Sequence, residues 1–593
     1  MQKLLKLLKI IDENLLGGLF TTFIFLIPLY PKLPLMMITY TYVAIRFDDI
    51  FMALIAVVFI VQLARGKVSI NTRLLKMFLF FWGAVFVSYF IATFITHTIV
   101  YRQVGFLHAL RRVEYMFIFF VAVSLIKKPA DFVRYLFAAI TSVFLITIYG
   151  IGQRVAEFPS VSTMNPEFAK GHVLFLTPEA RIASTFAGHY DLGAYLVFII
   201  PIIWGAYFVL HKKLHSKLGL AIGISSNITH TTSQFLEKLI GSVVSLARLR
   251  HSFLDPLKEL RDDFEINKKT MILTIAGGII SIIFLASALK TLEWIIGGTL
   301  IVALFLFIGI YKKQGGVGLL LVIATTLFVL VQTASRSSFV AYLISLSLFF
   351  LLIKKYRYLV VVIVITLLLS YHNKNLSERI GSTFQIRQFL VNEQTGDIFV
   401  LQKMRTDELP AGSRVLVKVD NKKKTTSEEA EVRKEFLRKA TIAAGLKNPA
   451  TAATAAAQYR QVQGIAPDIS FDTRLRVEWP RAFAAFAKNP LFGTGVSTIT
   501  ESTDNDFLRW LGEIGLIGTI AFIYILLTIA RQVFEMAKSA DPQIKPLFFG
   551  FIFGLLGLSI NGLYIDVFEA SKVAYSFWAI AGLYSGLYLL KKP

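Results

Sequence analysis

The residues best suited to bind or transfer a charged group fall into three short clusters, each beside an apolar run. Arginine presents a planar fork of N–H donors that matches phosphate oxygens, and a carboxylate or imidazole can take a proton from a hydroxyl. Each cluster contains at least one arginine among small polar residues. The clusters are Arg181–Asp191, Thr333–Ser338 and Arg474–Gly518. This pattern indicates recognition of an anionic group next to a proton-transfer step.

The third cluster holds most of the charged side chains, and they lie on both sides of a glycine-rich loop. Arg474 and Arg476 precede the loop, and Asp504, Asp506 and Glu513 follow it at the start of an apolar run. Asp and Asn are good N-cap residues, so Asp504–Asp506 could serve either to cap a helix or to accept a proton. The residues of interest are Arg474, Arg476, Asp504, Asp506 and Glu513.

Several chemistries are excluded by what the sequence lacks. There is no cysteine, which excludes disulfides, thiol nucleophiles and Cys-bound metals. The phosphate loop, the dinucleotide glycine pattern, HExxH, GxSxG and the EF-hand loop are absent too. No histidine follows His372, so a base in the third cluster must be a carboxylate or His372 itself. Two nearby carboxylates are a weak metal pattern, and we predict neither a metal site nor a cofactor.

The composition is that of a membrane protein. Of 593 residues, 55% are hydrophobic and only 17% are charged, against about 25% charged in a soluble domain. The net charge of +24 comes from basic residues that lie mostly between apolar runs. That distribution indicates membrane topology and affinity for anionic lipid or phosphate, and we expect no nucleic-acid partner.

Apolar segments recur along most of the chain. Several are shorter than the roughly 20 residues that a helix needs to cross a bilayer. We therefore predict an all-α polytopic membrane protein with about 14 transmembrane helices (roughly 12 to 14). The segments are Leu15–Tyr30, Ile50–Leu63, Leu74–Thr96, Val113–Ile126, Phe132–Gly152, Leu192–Leu210, Met271–Leu289, Leu292–Tyr311, Val317–Ala334, Phe339–Ile353, Leu359–Tyr371, Phe507–Ile529, Leu547–Ile565 and Val573–Leu590, and Leu33–Ile45 suits a re-entrant piece.

Basic residues predict the topology. With the N-terminus in the cytoplasm, the inside segments carry 30 Lys and Arg residues and the short outside segments carry 11. This bias follows the positive-inside rule and predicts that both termini are cytoplasmic. The three clusters then share the outer side. The 11 outside residues are Lys32, Arg46, Arg102, Arg111, Arg112, Arg154, Lys170, Arg181, Lys290, Arg336 and Lys572.

One long loop, His372–Asp506, has the composition of a soluble domain. If successive spans alternate in direction from a cytoplasmic N-terminus, this loop lies outside the cytoplasm. Alternating segments predict strands, and capped or amphipathic segments predict helices, so we expect a small extracytoplasmic α+β domain. The predicted strands are Asp397–Leu401 and Arg414–Val419, and the predicted helices are Thr426–Ala444 and Trp479–Ala487. The predicted division is an N-terminal bundle of about 11 spans (1–371, with a cytoplasmic insertion at 211–269), the loop domain (372–506) and a three-span part (507–593).

The third cluster resembles the O-antigen ligase and O-antigen polymerase superfamily. In that family an Arg–Trp segment precedes Pro-Leu-Phe-Gly-x-Gly, and His/Asp-Asn-x-x-Leu and Glu-x-Gly-x-x-Gly follow at the entry to a span. The Ser335-Arg336 span end and the Arg181–Phe186 segment resemble the family in the same order. The likeness leaves out 389–464 and 211–269. The matching residues of the third cluster are Arg474, Trp479, Pro490–Gly495, Asp504–Leu508 and Glu513–Gly518.

The resemblance implies a metal-independent glycosyltransferase of the bacterial cytoplasmic membrane that works at its outer face. Its donor would be a glycan on a polyprenyl (undecaprenyl) diphosphate, and its acceptor another glycan or a lipid-linked sugar. The implied diphosphate ligands are Arg336, Arg474, Arg476 and Arg181, and the implied catalytic residues are Asp504, Arg336 and Glu513. The family's ligases have a histidine where this chain has Asp504, which favours a polymerase over a ligase.

Two other classes of protein compete with this interpretation. A flippase or transporter of lipid-linked glycans should carry ionisable residues deep within several spans and show internal repeats, and the sequence displays neither. A membrane scaffold that uses the long loop as a binding module would leave the three clusters without a purpose. Simpler roles also suit single residues: Arg336 could extend to the interface, and Arg474 and Arg476 could be solvated.

Overall fold

Helices make up most of the structure, a computed structural model that describes residues 2–37, 44–163, 170–177, 180–210, 267–289, 292–373, 376, 384–392, 398–400, 459–467, 474–499 and 503–590. Each of the 14 predicted apolar segments lies on a helix. Within these described residues, ten helices are long and apolar enough to cross a membrane, and two more are apolar but shorter. The prediction of an all-helical, multi-pass membrane protein is therefore confirmed, and the span count stays a prediction.

The chain order of the long helices follows the predicted segments. Before the insertion they are α1 (Gln2–Leu29), α2 (Phe47–Ala64), α3 (Thr72–Phe90), α4 (Arg102–Leu125), α5 (Pro129–Val155) and α6 (His189–Leu210). After it come α7 (Lys268–Leu289), α8 (Glu293–Lys313), α9 (Gly315–Gln332), α10 (Arg336–Leu352) and α11 (Tyr356–His372). The last part holds the short α12 (Trp479–Lys488), then α13 (Asp506–Ser539), α14 (Lys545–Gly562) and α15 (Ser571–Leu589).

Helix starts follow local sequence rules. The Asn71 side chain accepts a hydrogen bond from Leu74 N at 3.1 Å, so α3 begins directly after an N-cap. At the start of α5, Pro129 occupies the first turn, where its missing N–H leaves no bond unmade. Two backbone N–H groups before α5 also donate to the Asp131 carboxylate, at 3.1 and 3.2 Å.

Helix α6 is at the centre of the bundle, since 94% of the residues in its membrane-spanning stretch are buried. In the peripheral α2 the corresponding share is 28%. A helix that is apolar on every side belongs in such a central place. The closest neighbour of α6 is α14, because Gly550 and Gly554 lie against the backbone of Pro201 and Phe198. A Cβ at either glycine would collide with a carbonyl oxygen, so small residues permit this approach.

Two regions differ in detail from the prediction. The segment predicted as re-entrant is an antiparallel hairpin of β1 (Pro34–Met37) and β2 (Ala44–Arg46), since Pro31 and Pro34 cannot continue a helix. The span predicted at Phe507–Ile529 is a longer helix, α13, that breaks at Gly515. A second small hairpin pairs β3 (Ser160–Val161) with β4 (Val173–Leu174).

The long loop contributes a three-stranded antiparallel sheet. Its strands are β5 (Phe384–Asn392), β6 (Ile398–Val400) and β7 (Tyr459–Pro467), with β5 in the middle. The strand expected at Asp397–Leu401 and the helix expected at Trp479–Ala487 are present as β6 and α12. The expected strand Arg414–Val419 and helix Thr426–Ala444 lie outside the described residues. The extracytoplasmic position of the loop stays a prediction.

Candidate active site

The three sequence clusters meet at one end of the bundle, where α5 and α9 end and α6 and α10 begin. We call this the site end. Ile182 N donates to Gln332 O at 3.2 Å, which joins the first cluster to the second. Ser338 Oγ donates to Asn561 Oδ1 at 3.2 Å, which joins the second cluster to α14.

The two glycine motifs of the third cluster interlock. Helix α13 breaks at Gly515, and the break leaves backbone groups without helical partners. The loop Pro490–Gly495 supplies those partners. Thr494 N and Gly495 N donate to the carbonyls of Gly512 and Glu513, each at 2.9 Å, and Leu516 N donates to Pro490 O at 2.9 Å.

Glycine is required on both sides of this contact. Gly493 and Gly515 have φ of +72° and +63°, values that L-residues rarely adopt. A Cβ at Gly493 would collide with the backbone of Glu513, and one at Gly515 with the backbone of Leu491. The motif glycines therefore build the frame that carries the neighbouring charged residues, which explains their spacing.

A buried ion-pair network surrounds this frame. Arg112 of α4 pairs with Glu513 at 2.5 Å and with Glu569 at 2.9 Å. Arg509 pairs with Asp566 at 2.6 Å and lies 3.5 Å from Glu513. No side chain in these pairs is more than 17% exposed. Both Glu513 oxygens are engaged, because Ser497 N also donates to Oε1 at 3.1 Å.

Arg474 and Asp504 form an ion pair beside the network. Arg474 is 4% exposed, stacks on the Tyr564 ring at 4.1 Å and donates to Tyr564 O at 3.1 Å. The Asp504 side chain keeps 29% of its surface exposed. Its φ of +46° is in the left-handed region, which Asp adopts more readily than most residues. The site thus holds the fixed guanidinium of Arg474, paired with the accessible carboxylate of Asp504.

The two residues after Asp504 have structural partners. Asn505 caps α13, since its side chain accepts from Leu508 N at 3.1 Å. Asp506 is fully buried and its Oδ2 accepts from Val567 N at 2.8 Å and Phe568 N at 3.1 Å. Asp506 therefore holds the hairpin between α14 and α15 against the start of α13.

The remaining predicted arginines have different surroundings. Arg181 donates to Nε2 of His189 at 2.6 Å, within the first cluster. Arg336 is the first residue of α10, directly after the N-cap Ser335, and is half-buried. Arg476 lies on the π-helical turn Arg474–Glu478, and its side chain is outside the described part of the structure.

Two buried lysines at the site end were not predicted. Lys572 is 2% exposed and donates to Pro28 O at 3.0 Å and Thr185 O at 2.6 Å. Lys32 is 7% exposed, and burial lowers its pKa to about 8 despite the opposing charge of Asp191. Asp191 is near both lysines and also near Asp504, so these groups extend the site toward α1.

Glu478 is a further residue that the sequence analysis missed. It ends the π-helical turn that begins at Arg474, and its Oε2 is buried without a hydrogen-bond partner. Burial, followed by the negative charge of Asp504, raises the pKa of Glu478 to about 7. The only available signal was its spacing of four residues from Arg474. Among the described residues, no three His, Asp or Glu side chains are grouped as a metal site would need.

The comparison with protein families bears on this geometry. Residues 319–523 match the family model for O-antigen ligase. The chain contains an O-antigen ligase domain. No curated protein matches the chain. The matched segment runs from α9 through the long loop into α13, so it includes Arg336, Arg474 and Asp504 but not Arg181.

This O-antigen ligase domain implies glycan transfer of the ligase type on substrates carried in a membrane. The resemblance predicted from the residues is therefore confirmed at the level of the superfamily. The frame of Pro490–Gly495 and the broken helix belongs to the matched segment, whereas Arg112 and Glu569, which complete its ion pairs, come from outside it.

Proposed function

We propose that the protein is a glycosyltransferase that moves or polymerises a glycan from a polyprenyl-diphosphate carrier onto a glycan or lipid-linked acceptor. The reaction takes place at the outer face of the bacterial cytoplasmic membrane, and both termini are cytoplasmic. The observation that carries the proposal is the buried Arg474, held beside the accessible Asp504 within an O-antigen ligase domain. A lipid-anchored diphosphate needs such a fixed cation near the membrane surface.

Leaving-group stabilisation is the main catalytic effect in this proposal. As the bond between the sugar and the diphosphate breaks, negative charge grows on the diphosphate, and preorganised donors stabilise it. Arg474 is preorganised, because it stacks on Tyr564 and its Nε is already bonded. Arg336 and Arg181 at the same end, together with Arg476, complete the set of diphosphate ligands.

The acceptor hydroxyl must also lose a proton, and a carboxylate of this site accepts it. Of the three carboxylates nominated by the sequence, Asp506 is fully buried and bonded through Oδ2, and both oxygens of Glu513 are bonded. Asp504 is the one that is accessible. The aspartate at the position where the family's ligases have a histidine favours a polymerase over a ligase.

Deletion of the gene distinguishes the two activities. Surface polysaccharide that is reduced to single repeat units indicates a polymerase, whereas intact polymer left on its lipid carrier indicates a ligase. Unchanged surface glycan and unchanged lipid-linked glycan would exclude both.

Substitutions test the diphosphate site. Arg336→Lys keeps the charge but loses the fork, and we expect polymer formation to fall by the equivalent of about 1–3 kcal/mol, typical of a charge-assisted contact. Arg474→Ala should reduce it further, since Arg474 is the best-ordered donor. Near wild-type activity in Arg336→Lys, Arg474→Ala and Arg476→Ala would leave the site without support. A reporter fused at Asp420 that is active in the cytoplasm would contradict the topology.

A further inference from the structure

Glu478 has no structural task in the described part of the protein. It is the residue before α12, but its side chain makes no capping hydrogen bond there. Its Oε2 is buried and lacks any hydrogen-bond partner. Buried polar atoms are normally hydrogen-bonded, so an unbonded buried oxygen on this half-buried side chain, at a candidate active site, indicates a functional role.

The charged groups around Glu478 come from four different elements. Arg474 lies on the same turn, Arg481 on α12, Asp504 on the loop before α13, and Asp566 on the hairpin between α14 and α15. Burial and the two acidic neighbours raise the pKa of Glu478 to about 7, and the two arginines oppose the shift. A carboxylate with this property is a far better base at neutral pH than an ordinary one.

Asp504 is less suited to the same task. Its Oδ2 accepts a charge-assisted hydrogen bond from Arg474, a bond that would have to break before this oxygen could take a proton. That same bond fixes the guanidinium, whose Nε is held by Tyr564 O. Asp504 therefore suits a positioning residue that aims Arg474 at the diphosphate.

We propose, on the basis of the transfer function above, that Glu478 is the general base in place of Asp504, which the sequence nominated for that role. Asp504 is then the residue that positions Arg474. The acceptor hydroxyl oxygen forms the new bond to the anomeric carbon, and its proton moves to the Glu478 carboxylate. The bond from the anomeric carbon to the diphosphate oxygen breaks, and its electron pair stays on the diphosphate, which Arg474 binds. The proton leaves Glu478 for water once the product has departed.

The test measures initial rates of glycan transfer from pH 5.5 to 8.5 with purified full-length protein. The donor is polyprenyl-diphosphate-linked oligosaccharide extracted from cells that lack the protein. Wild-type activity should fall with acid through a pH near 7, because the base must be ionised. Glu478→Gln should lower kcat by roughly 10²–10⁴-fold and abolish this pH dependence, with KM for the donor unchanged. Glu478→Asp should retain part of the activity.

The control variants separate the two roles. Asp504→Asn should raise KM for the donor, and its rate should still fall with acid through a pH near 7. Glu157→Gln, which changes an exposed glutamate at the site end, should match the wild type. The assignment is wrong if Glu478→Gln keeps the wild-type rate and its fall at acid pH. It is also wrong if Asp504→Asn, and not Glu478→Gln, removes that fall. A wild-type protein that neither makes product nor releases polyprenyl diphosphate would instead overturn the proposed function, and the assignment with it.

Discussion

The two ends of the bundle differ in how several of their charged side chains are held. At the site end, Arg112, Arg474 and Arg509 are buried and paired with carboxylates from distant parts of the chain. At the opposite end, where α4 ends and α5 begins, Lys127 and Lys128 are exposed. The ion pair Arg531–Glu535 there joins neighbours on one helix, and the Arg531 side chain is 80% exposed.

This difference separates two uses of a basic residue. Exposed cations at a helix end orient the protein in the membrane and need no defined geometry. Buried cations lose their hydration, and this loss is offset only where partners are well placed. Fixed, buried cations at the site end are what the proposed diphosphate site requires.

The largest expected effect comes from breaking the buried network. Arg112→Ala would leave Glu513 and Glu569 buried without their main partner, which typically costs about 3–5 kcal/mol of stability. Arg531→Ala at the opposite end should cost only about 0–1 kcal/mol. Equilibrium unfolding of both variants in mixed detergent measures the difference. Equal effects would remove the distinction between the two ends.

A smaller effect is expected from the interlocked frame. Gly515→Ala forces an alanine into a conformation essentially restricted to glycine, which costs about 1–3 kcal/mol before the contact with Leu491 is counted. Gly309→Ala is the matched control, because Gly309 lies in an exposed helical position with no atom close to its added Cβ. We expect the free energy of unfolding of Gly309→Ala to equal that of the wild type or to be slightly higher. A neutral Gly515→Ala would mean that the break in α13 is not needed.

The sequence predicted the elements of this site better than its connections. Hydrophobic runs located the helices, and the motifs located Arg474, Asp504 and Glu513. Nothing local in the chain reveals that Arg112 pairs with Glu513, because 401 residues separate them. Asp566 and Glu569, in the short hairpin before α15, were missed for the same reason.

One usable signal was present in the charge count. Lys32, Arg112 and Lys572 are three of the few basic residues on the side that the positive-inside rule disfavours. All three are buried at the site end. A buried exception to the topological bias is therefore informative, because a buried cation loses its hydration and is retained only where well-placed partners offset that loss. Arg181 and Arg336 belong to the same group.

The smallest expected effect is a pH dependence that belongs to the site end. Burial lowers the pKa of Lys32 to about 8 in the folded protein, from 10.5 for a free lysine side chain. Between these two values the unfolded chain binds more protons than the folded one, so stability rises with pH through that window. Below about pH 8 both states are protonated, and the destabilisation by Lys32 is complete and constant.

We therefore expect unfolding measurements to give a stability that is higher at pH 9.5 than at pH 7.5 by on the order of 1–2 kcal/mol. Lys32→Met should reduce this rise and should be more stable than the wild type at pH 7.5, because it removes the buried charge at position 32. Lys127→Met, which removes an exposed lysine at the opposite end, should keep the wild-type pH dependence. If Lys32→Met and Lys127→Met behave alike, Lys32 is hydrated in solution and the site end is more open to water than its burial implies. If the rise is smaller in Lys32→Met alone, the contrast between the two ends extends from geometry to proton binding.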